Sequence, residues 1–357
     1  MNEWDPGAER IAALLTNRYE LLERLGQGGF ASVYKARNLR LRRIEALKVL
    51  SGALTEEGDF ARRFEQESRF AASLDHPNIA KIYDYGGEGD LFWFSMQFLD
   101  GPTLRGLLRE DGPIEPVRAA RIALGALDAL AYCHGRGIIH RDIKPDNIQL
   151  DSSRRPYLMD FGIAKSQDSA VKTQTGFVFG SPAYMSPEQI KGETLDPRTD
   201  IYSVGVTLYT MLSGSLPFCG DDTFAAAMKK LSELPAPLSE KAPGLAPDLE
   251  EIVMRALARE RAKRFPGAVE MRDALGEYLD RARQAGAQDR TPAAPLPIPA
   301  PAPAKTPAVG ERDATAPLPR GTITPPSLLA PEATGARGRR IFIVLLLAAV
   351  SAGVFLI

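Results

Sequence analysis

Residues 140–162 hold the densest run of side chains able to do chemistry. The stretch opens with His140-Arg141-Asp142-Ile143-Lys144-Pro145-Asp146-Asn147 and closes with Asp160-Phe161-Gly162. Asp142 can accept a proton from an attacking hydroxyl, and Lys144 can neutralise charge on a moving phosphoryl group. Asn147 and Asp160 offer hard oxygen ligands, which Mg2+ prefers. A site of this kind lowers its barrier by positioning and charge neutralisation, with little covalent work for the protein. The chemistry these residues suit is transfer of a phosphoryl group to a hydroxyl.

Other elements must hold those groups still and bring a nucleotide to them. From Tyr19 the pattern is strand-like and runs into Leu25-Gly26-Gln27-Gly28-Gly29-Phe30-Ala31-Ser32-Val33. Two strands joined by such a glycine-rich turn can set backbone N–H groups over phosphates. Ala46-Leu47-Lys48 follows shortly after. Phe60–Leu74 places Phe60, Phe64, Phe70, Ala71 and Leu74 near helical spacing, and Phe64, Glu67 and Ala71 share one face. His76-Pro77 ends that helix, because the residue before proline avoids the α region. Strand-like runs stand at Ala80–Tyr85 and Leu91–Phe98. Pro116–Arg136 is a helix apolar on most faces, hence buried, with Pro116 suited to its first turn. Asp200 opens a second apolar helix to Leu212, and Glu250–Leu257 and Val269–Ala282 close the folded part.

The two motifs His140–Asn147 and Asp160–Gly162, in order and 13 residues apart from Asn147 to Asp160, resemble the protein kinase signatures H-R-D-L-x-x-x-N and D-F-G, with Ile143 in place of Leu. The likeness covers residues 19–281 and is closest to bacterial transmembrane, Hanks-type serine/threonine kinases. It implies an α+β, two-lobed kinase fold, with a small β-rich lobe and a larger helical one. It further implies ATP with Mg2+, or Mn2+, as cofactors. Asp142, Lys144 and Asn147 take the catalytic positions, and Asn147 with Asp160 the metal positions. The nucleotide positions are Leu25 to Val33 (Leu25, Gly26, Gln27, Gly28, Gly29, Phe30, Ala31, Ser32, Val33), Ala46, Lys48, Glu67, Met96, Gln97 and Leu99.

Within that set Lys48 holds the α- and β-phosphates and pairs with Glu67. Met96 is the gatekeeper, while the Gln97 carbonyl and the Leu99 N–H face the purine edge. Asp200 braces the catalytic loop, and Arg264 pairs with Glu188. Two positions depart from the family pattern. Ala31 stands where the third glycine falls, which implies a slightly stiffer lid. Gln149 replaces the aliphatic residue under the adenine, so its amide must turn to a backbone partner or weaken binding. Thr173 and Thr175 stand where relatives carry activating phosphates, with Arg141 as the receiving cation. Lys144 and Ser181-Pro182 are features of serine/threonine kinases. The rival readings are a pseudokinase scaffold, kept open by Ala31 and Gln149, and a small-molecule kinase, which generally lacks the Ser186-Pro187-Glu188 element.

Composition fits one large domain or two smaller ones: 357 residues, 44% hydrophobic, with 44 basic against 45 acidic side chains. The balance gives no sign of nucleic acid as a partner. Two cysteines and three histidines supply neither a disulfide framework nor zinc-ligand spacing, and two reduced thiols in a cytosolic domain are expected. Met1–Thr16 carries Glu3, Asp5, Glu9 and Arg10 where a signal peptide would have an apolar core. Residues 1–18 therefore read as a polar lead-in with one amphipathic turn at Ile11–Leu15.

At residue 282 the character changes. Twelve of the 28 prolines lie between Gln284 and Gly338, so residues 282–340 are expected to be a disordered Pro/Ala/Thr-rich spacer. Arg337-Gly338-Arg339-Arg340 then precedes Ile341–Ile357, 17 residues without a charge. At about 1.5 Å per residue this run spans roughly 26 Å, slightly under a ~30 Å hydrocarbon core. It reads as a single transmembrane helix, with the arginines placing the catalytic part in the cytoplasm. The expected partners are Ser/Thr-containing proteins, a second copy for trans-autophosphorylation, and the membrane.

Overall fold

The structure, a computed structural model, describes residues 6–27, 31–50, 60–88, 91–160, 182–218 and 223–288. The expected spacer starts later than residue 282, because residues 282–288 continue helix Ala268–Gln288; the rest of it and the apolar C-terminal run lie outside the described residues. No helix of the described residues is long and apolar enough to cross a membrane.

The small lobe is built on five strands: β1 (Tyr19–Gln27), β2 (Ala31–Asn38), β3 (Arg43–Leu50), β4 (Ile82–Glu88) and β5 (Leu91–Gln97). They form one antiparallel sheet in the order β1-β2-β3-β5-β4. Side chains alternate across a strand, and in β3 both faces are covered. Leu47 and Val49 join Tyr34, Ala36, Leu91 and Trp93 on one side, under Ile11 and Leu15. Ala46 and Leu50 join Phe92, Phe94 and Met96 on the other, under Phe60, Phe64 and Ala71. The first side is closed by α1 (Pro6–Leu15) and the second by α2 (Phe60–Ala72). The expected short turn in a polar lead-in is thus a ten-residue helix integral to the lobe. Phe70, expected inside, is 48% exposed, because the buried arc of α2 runs through Phe60, Phe64, Ser68 and Ala71.

The large lobe begins with α3 (Leu104–Asp111) and α4 (Pro116–His134), then the short antiparallel pair β6 (Ile148–Leu150) and β7 (Pro156–Leu158). Its remaining helices are α5 (Pro187–Lys191), α6 (Arg198–Ser213), α7 (Thr223–Ser232), α8 (Leu238–Lys241), α9 (Pro247–Ala256) and α10 (Ala268–Gln288). Helix α4 starts where Glu115 accepts from the N–H groups of Val117 and Arg118, with Pro116 at its first position. Such caps satisfy donors that a helix leaves orphaned. Helix α6 is buried from Thr199 to Leu212 and ends at Gly214, whose φ of 70° needs no Cβ. Around α4 and α6 lies one core that also takes in Ile143, Ile148 and Leu158, so the segment bearing Asp142 is fastened at both ends by apolar packing.

Candidate active site

The catalytic loop is held by a carboxylate from below. Asp200, fully buried on α6, accepts the N–H of Arg141 (2.8 Å) on Oδ1. Its Oδ2 accepts the N–H of His140 (2.8 Å) and faces Nε2 of His134 (2.9 Å). The bracing role expected of Asp200 is thereby observed, and His134, which sequence reasoning passed over, is part of it. The only signal for His134 was a histidine closing an otherwise apolar helix.

His140 has Nε2 2.9 Å from the Met159 carbonyl, and a carbonyl only accepts, so Nε2 carries the proton. Nδ1 is then free to accept from the N–H of Asp142 (3.3 Å). Burial pushes the His140 pKa down, against the pull of nearby Asp200 and Asp142, so the ring works as a neutral spacer. Two non-glycine residues of the site, Arg141 (φ 67°) and Asp160 (φ 56°), sit in the left-handed region, strain of the kind that gathers at functional sites.

Five expected residues meet here. Lys144 Nζ donates to Asp142 Oδ2 (3.0 Å), and Asn147 Nδ2 donates to the same oxygen (2.9 Å) and to the Asp142 carbonyl (2.8 Å). Both amide hydrogens of Asn147 are thus engaged, which leaves Oδ1 as its ligand oxygen. The Met159 N–H donates to the Asn147 carbonyl (2.9 Å) and so sets Asp160 beside it. Asp160 gives Oδ2 to Lys48 Nζ (2.6 Å), while its Oδ1 is buried with no hydrogen-bond partner among the described residues. That orphaned oxygen and Asn147 Oδ1 fit a Mg2+ site, since this ion is usually held by one or two protein oxygens plus substrate phosphates.

The Lys48–Glu67 pair is corrected. Lys48 points to the same side of β3 as Ala46 and Leu50, but its ion pair is with Asp160, and among the described residues Glu67 forms none with it. Glu67 is half-buried at the margin of the α2 arc that faces the core. Burial pushes its carboxyl up to about 7, against the charges of Arg63 and Arg141.

Around the nucleotide position, Ala46 pairs with Met96 across β3 and β5, and both are buried. Ala31 and Val33 pack against the same cluster, and Leu99 is buried just beyond β5. Gln97 is half-buried, its N–H donating to the Lys81 carbonyl (2.8 Å). Leu25, Gly26 and Gln27 end β1, with Gln27 opposite Ser32, and Leu25 is 44% exposed. Gly28, Gly29, Phe30, Thr173 and Thr175 lie outside the described residues. Gln149 has turned its amide to the Gly101 carbonyl, the first of its two expected courses. Gly101 allows this closeness, for a Cβ there would stand 2.6 Å from the Leu150 carbonyl.

Farther out, Glu188 and Arg264 meet as expected in a buried two-pronged pair (2.7 and 2.9 Å), with Thr199 Oγ1 donating to the same carboxylate. Gln189 donates to the Arg141 carbonyl (2.8 Å), and Arg105 links Asp146 to the Tyr184 hydroxyl. Neither of these ties was legible beforehand, since each joins residues more than 40 positions apart.

A two-lobed fold with Lys48, Asp142, Asn147 and Asp160 converging on one cleft is that of a protein kinase, and the family model described as "Protein kinase domain" matches residues 19–274. The chain belongs to the protein kinase family, in its bacterial Hanks-type serine/threonine branch. It is similar to the serine/threonine-protein kinase PknB of Mycobacterium leprae, 42% identical over 263 residues, 72% of this chain and 42% of that protein. It is also similar to serine/threonine-protein kinase pkn3 of Myxococcus xanthus, 35% identical over 326 residues, 87% of this chain and 59% of that one. Among solved structures, the PknI kinase domain of Mycobacterium tuberculosis superposes with a TM-score of 0.58 at 33% identity, over 72% of this chain and 95% of that one. The chain spans about two-fifths of the length of the PknB relatives it matches.

Proposed function

We propose that the chain transfers the γ-phosphate of ATP, with Mg2+, to serine and threonine hydroxyls of proteins. The observation that carries this is Asp142 Oδ2, held by Lys144 and Asn147 within one bonded run that continues through Asp160 to Lys48. The acceptor oxygen forms a bond to the γ-phosphorus as the bond to the β–γ bridging oxygen breaks. ADP leaves, and the hydroxyl proton passes to Asp142. Lys144 offsets charge on the transferred group, and Lys48 steadies the α- and β-phosphates once it exchanges its Asp160 contact for them. Asn147 and Asp160 would hold the metal, which would supply charge neutralisation.

Asp142→Asn should lower kcat for a protein substrate by roughly 10²–10⁴-fold while ATP affinity stays close to wild type. A mutant retaining more than about a tenth of wild-type turnover would rule this mechanism out, and a wild type without transfer from labelled ATP would favour the scaffold reading.

Three finer parts of the reading go with it. Thr173 and Thr175 are phosphorylated by a second copy, and Arg141 receives the phosphate. In support, Nε of Arg141 is buried without a hydrogen-bond partner among the described residues. Mass spectrometry of active protein that found both threonines bare would discard the switch. Residues 289–340, beyond the end of α10, act as a flexible tether, and residues 341–357 anchor the protein in the cell membrane with the kinase domain in the cytoplasm. Their support is composition: twelve prolines in the one, no charge in the other.

A further inference from the structure

The last turn of α7 holds a lysine with an uncommon set of neighbours. Lys230 is only 2% exposed, and among the described residues no carboxylate pairs with it. Its Nζ donates instead to three backbone carbonyls, those of Pro182 (2.9 Å), Ala183 (2.5 Å) and Met185 (3.0 Å). Three acceptors match the three N–H bonds of an ammonium, whereas a neutral amine has two. The arrangement is that of a charged lysine. Burial pulls its pKa down to about 7, and the three carbonyl oxygens act in the opposite sense. Desolvating an unpaired ammonium is expensive, and a leucine or methionine would fill the same space without that cost. The charge is spent on holding those carbonyls.

The segment held in this way borders the catalytic loop. Ser203 Oγ donates to the fourth carbonyl, that of Tyr184 (2.9 Å), so all four from Pro182 to Met185 are turned inward. Arg105 ties the Tyr184 hydroxyl to Asp146, and Gln189 ties the next turn to the Arg141 carbonyl. Tied to the catalytic loop in this way, the shelf is a surface on which a polypeptide can rest while its hydroxyl meets Asp142. With its carbonyls withdrawn, the shelf offers the half-buried side chains of Pro182, Ala183 and Met185.

We propose that Lys230 is a positioning residue that sets this shelf for the protein substrate, favouring an apolar residue beside the acceptor hydroxyl. The inference rests on reading the chain as a protein kinase, and the experiment separates the two. The full chain, as wild type, Lys230→Met and Lys230→Arg, is assayed on peptides that differ only in an apolar or charged residue flanking the acceptor, with ATP varied separately. Lys230→Met should raise the KM for the apolar peptide roughly tenfold or more and erase the preference between peptides, leaving the KM for ATP within about twofold. Lys230→Arg, which keeps donors and charge, should recover most of both. Should Lys230→Met melt too early to assay, Lys230→Gln, with two donors instead of three, carries the same comparison. Unchanged peptide KM and preference, or a KM for ATP that rises in parallel, would overturn the proposal while the kinase reading stands. A wild type that phosphorylates no peptide would overturn both.

Discussion

At the level of single residues the site shows a lysine shared out by distance. Lys48 is bound to Asp160 at 2.6 Å, and Glu67 keeps its carboxyl in a half-buried place beside the charges of Arg63 and Arg141. That placement has a measurable titration. Burial raises the folded-state pKa of Glu67 to about 7, above its ordinary 4.5. A carboxyl raised in this way binds its proton more tightly in the folded state. Its contribution to stability is therefore complete below about 4.5 and lost as the pH climbs through about 7. Glu67→Gln should melt at the same temperature as wild type near pH 4.5 and above it at pH 8. A wild-type advantage at pH 8 would mean that Glu67 is ionised and paired in the folded protein. Residues of this kind also mark how far sequence reading reaches. Asp142, Lys144, Asn147 and Asp160 were legible because their spacing along the chain is itself the chemistry. The surroundings of Glu67 were not, since they depend on where α2 lies against the sheet and not on spacing along the chain.

Among the elements, α1 is the clearest case of structure beyond the reach of local pattern. Its Ile11 and Leu15 pack on Tyr34, Leu91 and Trp93, partners that lie up to some 80 positions away. A short run among charges reads as a lead-in until the sheet supplies the opposite surface. Leu15→Ala removes a side chain that is 3% exposed and should cost about 2–5 kcal/mol in urea unfolding. The kcat should hold, because α1 covers the sheet face opposite the one that carries Lys48. Loss of kcat at a temperature where the variant stays folded would contradict that division of roles. Helices α4 and α6, by contrast, were legible almost to the residue, because a helix apolar on every side has only the interior to go to. Lys230 was not, since its acceptors are main-chain oxygens, which no side-chain pattern reports.

For the molecule as a whole, the described residues make a kinase domain, and the proposed tether and anchor would confine it to a surface. Deleting residues 341–357 should move the protein from the membrane pellet to the supernatant with its specific activity on a peptide preserved. Retention of the truncated protein in the pellet would remove the anchor from the account. Within the domain, the covering of both faces of β3 has a consequence in time. Its amides are bridged to β2 on one side and β5 on the other, under two separate apolar layers. Deuterium from the solvent can reach them only when α1 and α2 have both let go, whereas β1 and β4 at the sheet margins need only fray. Exchange should therefore spread inward from the margins, with Ala46 to Leu50 the slowest clock in the small lobe. Binding a nucleotide against that strand should lengthen its period more than that of any other.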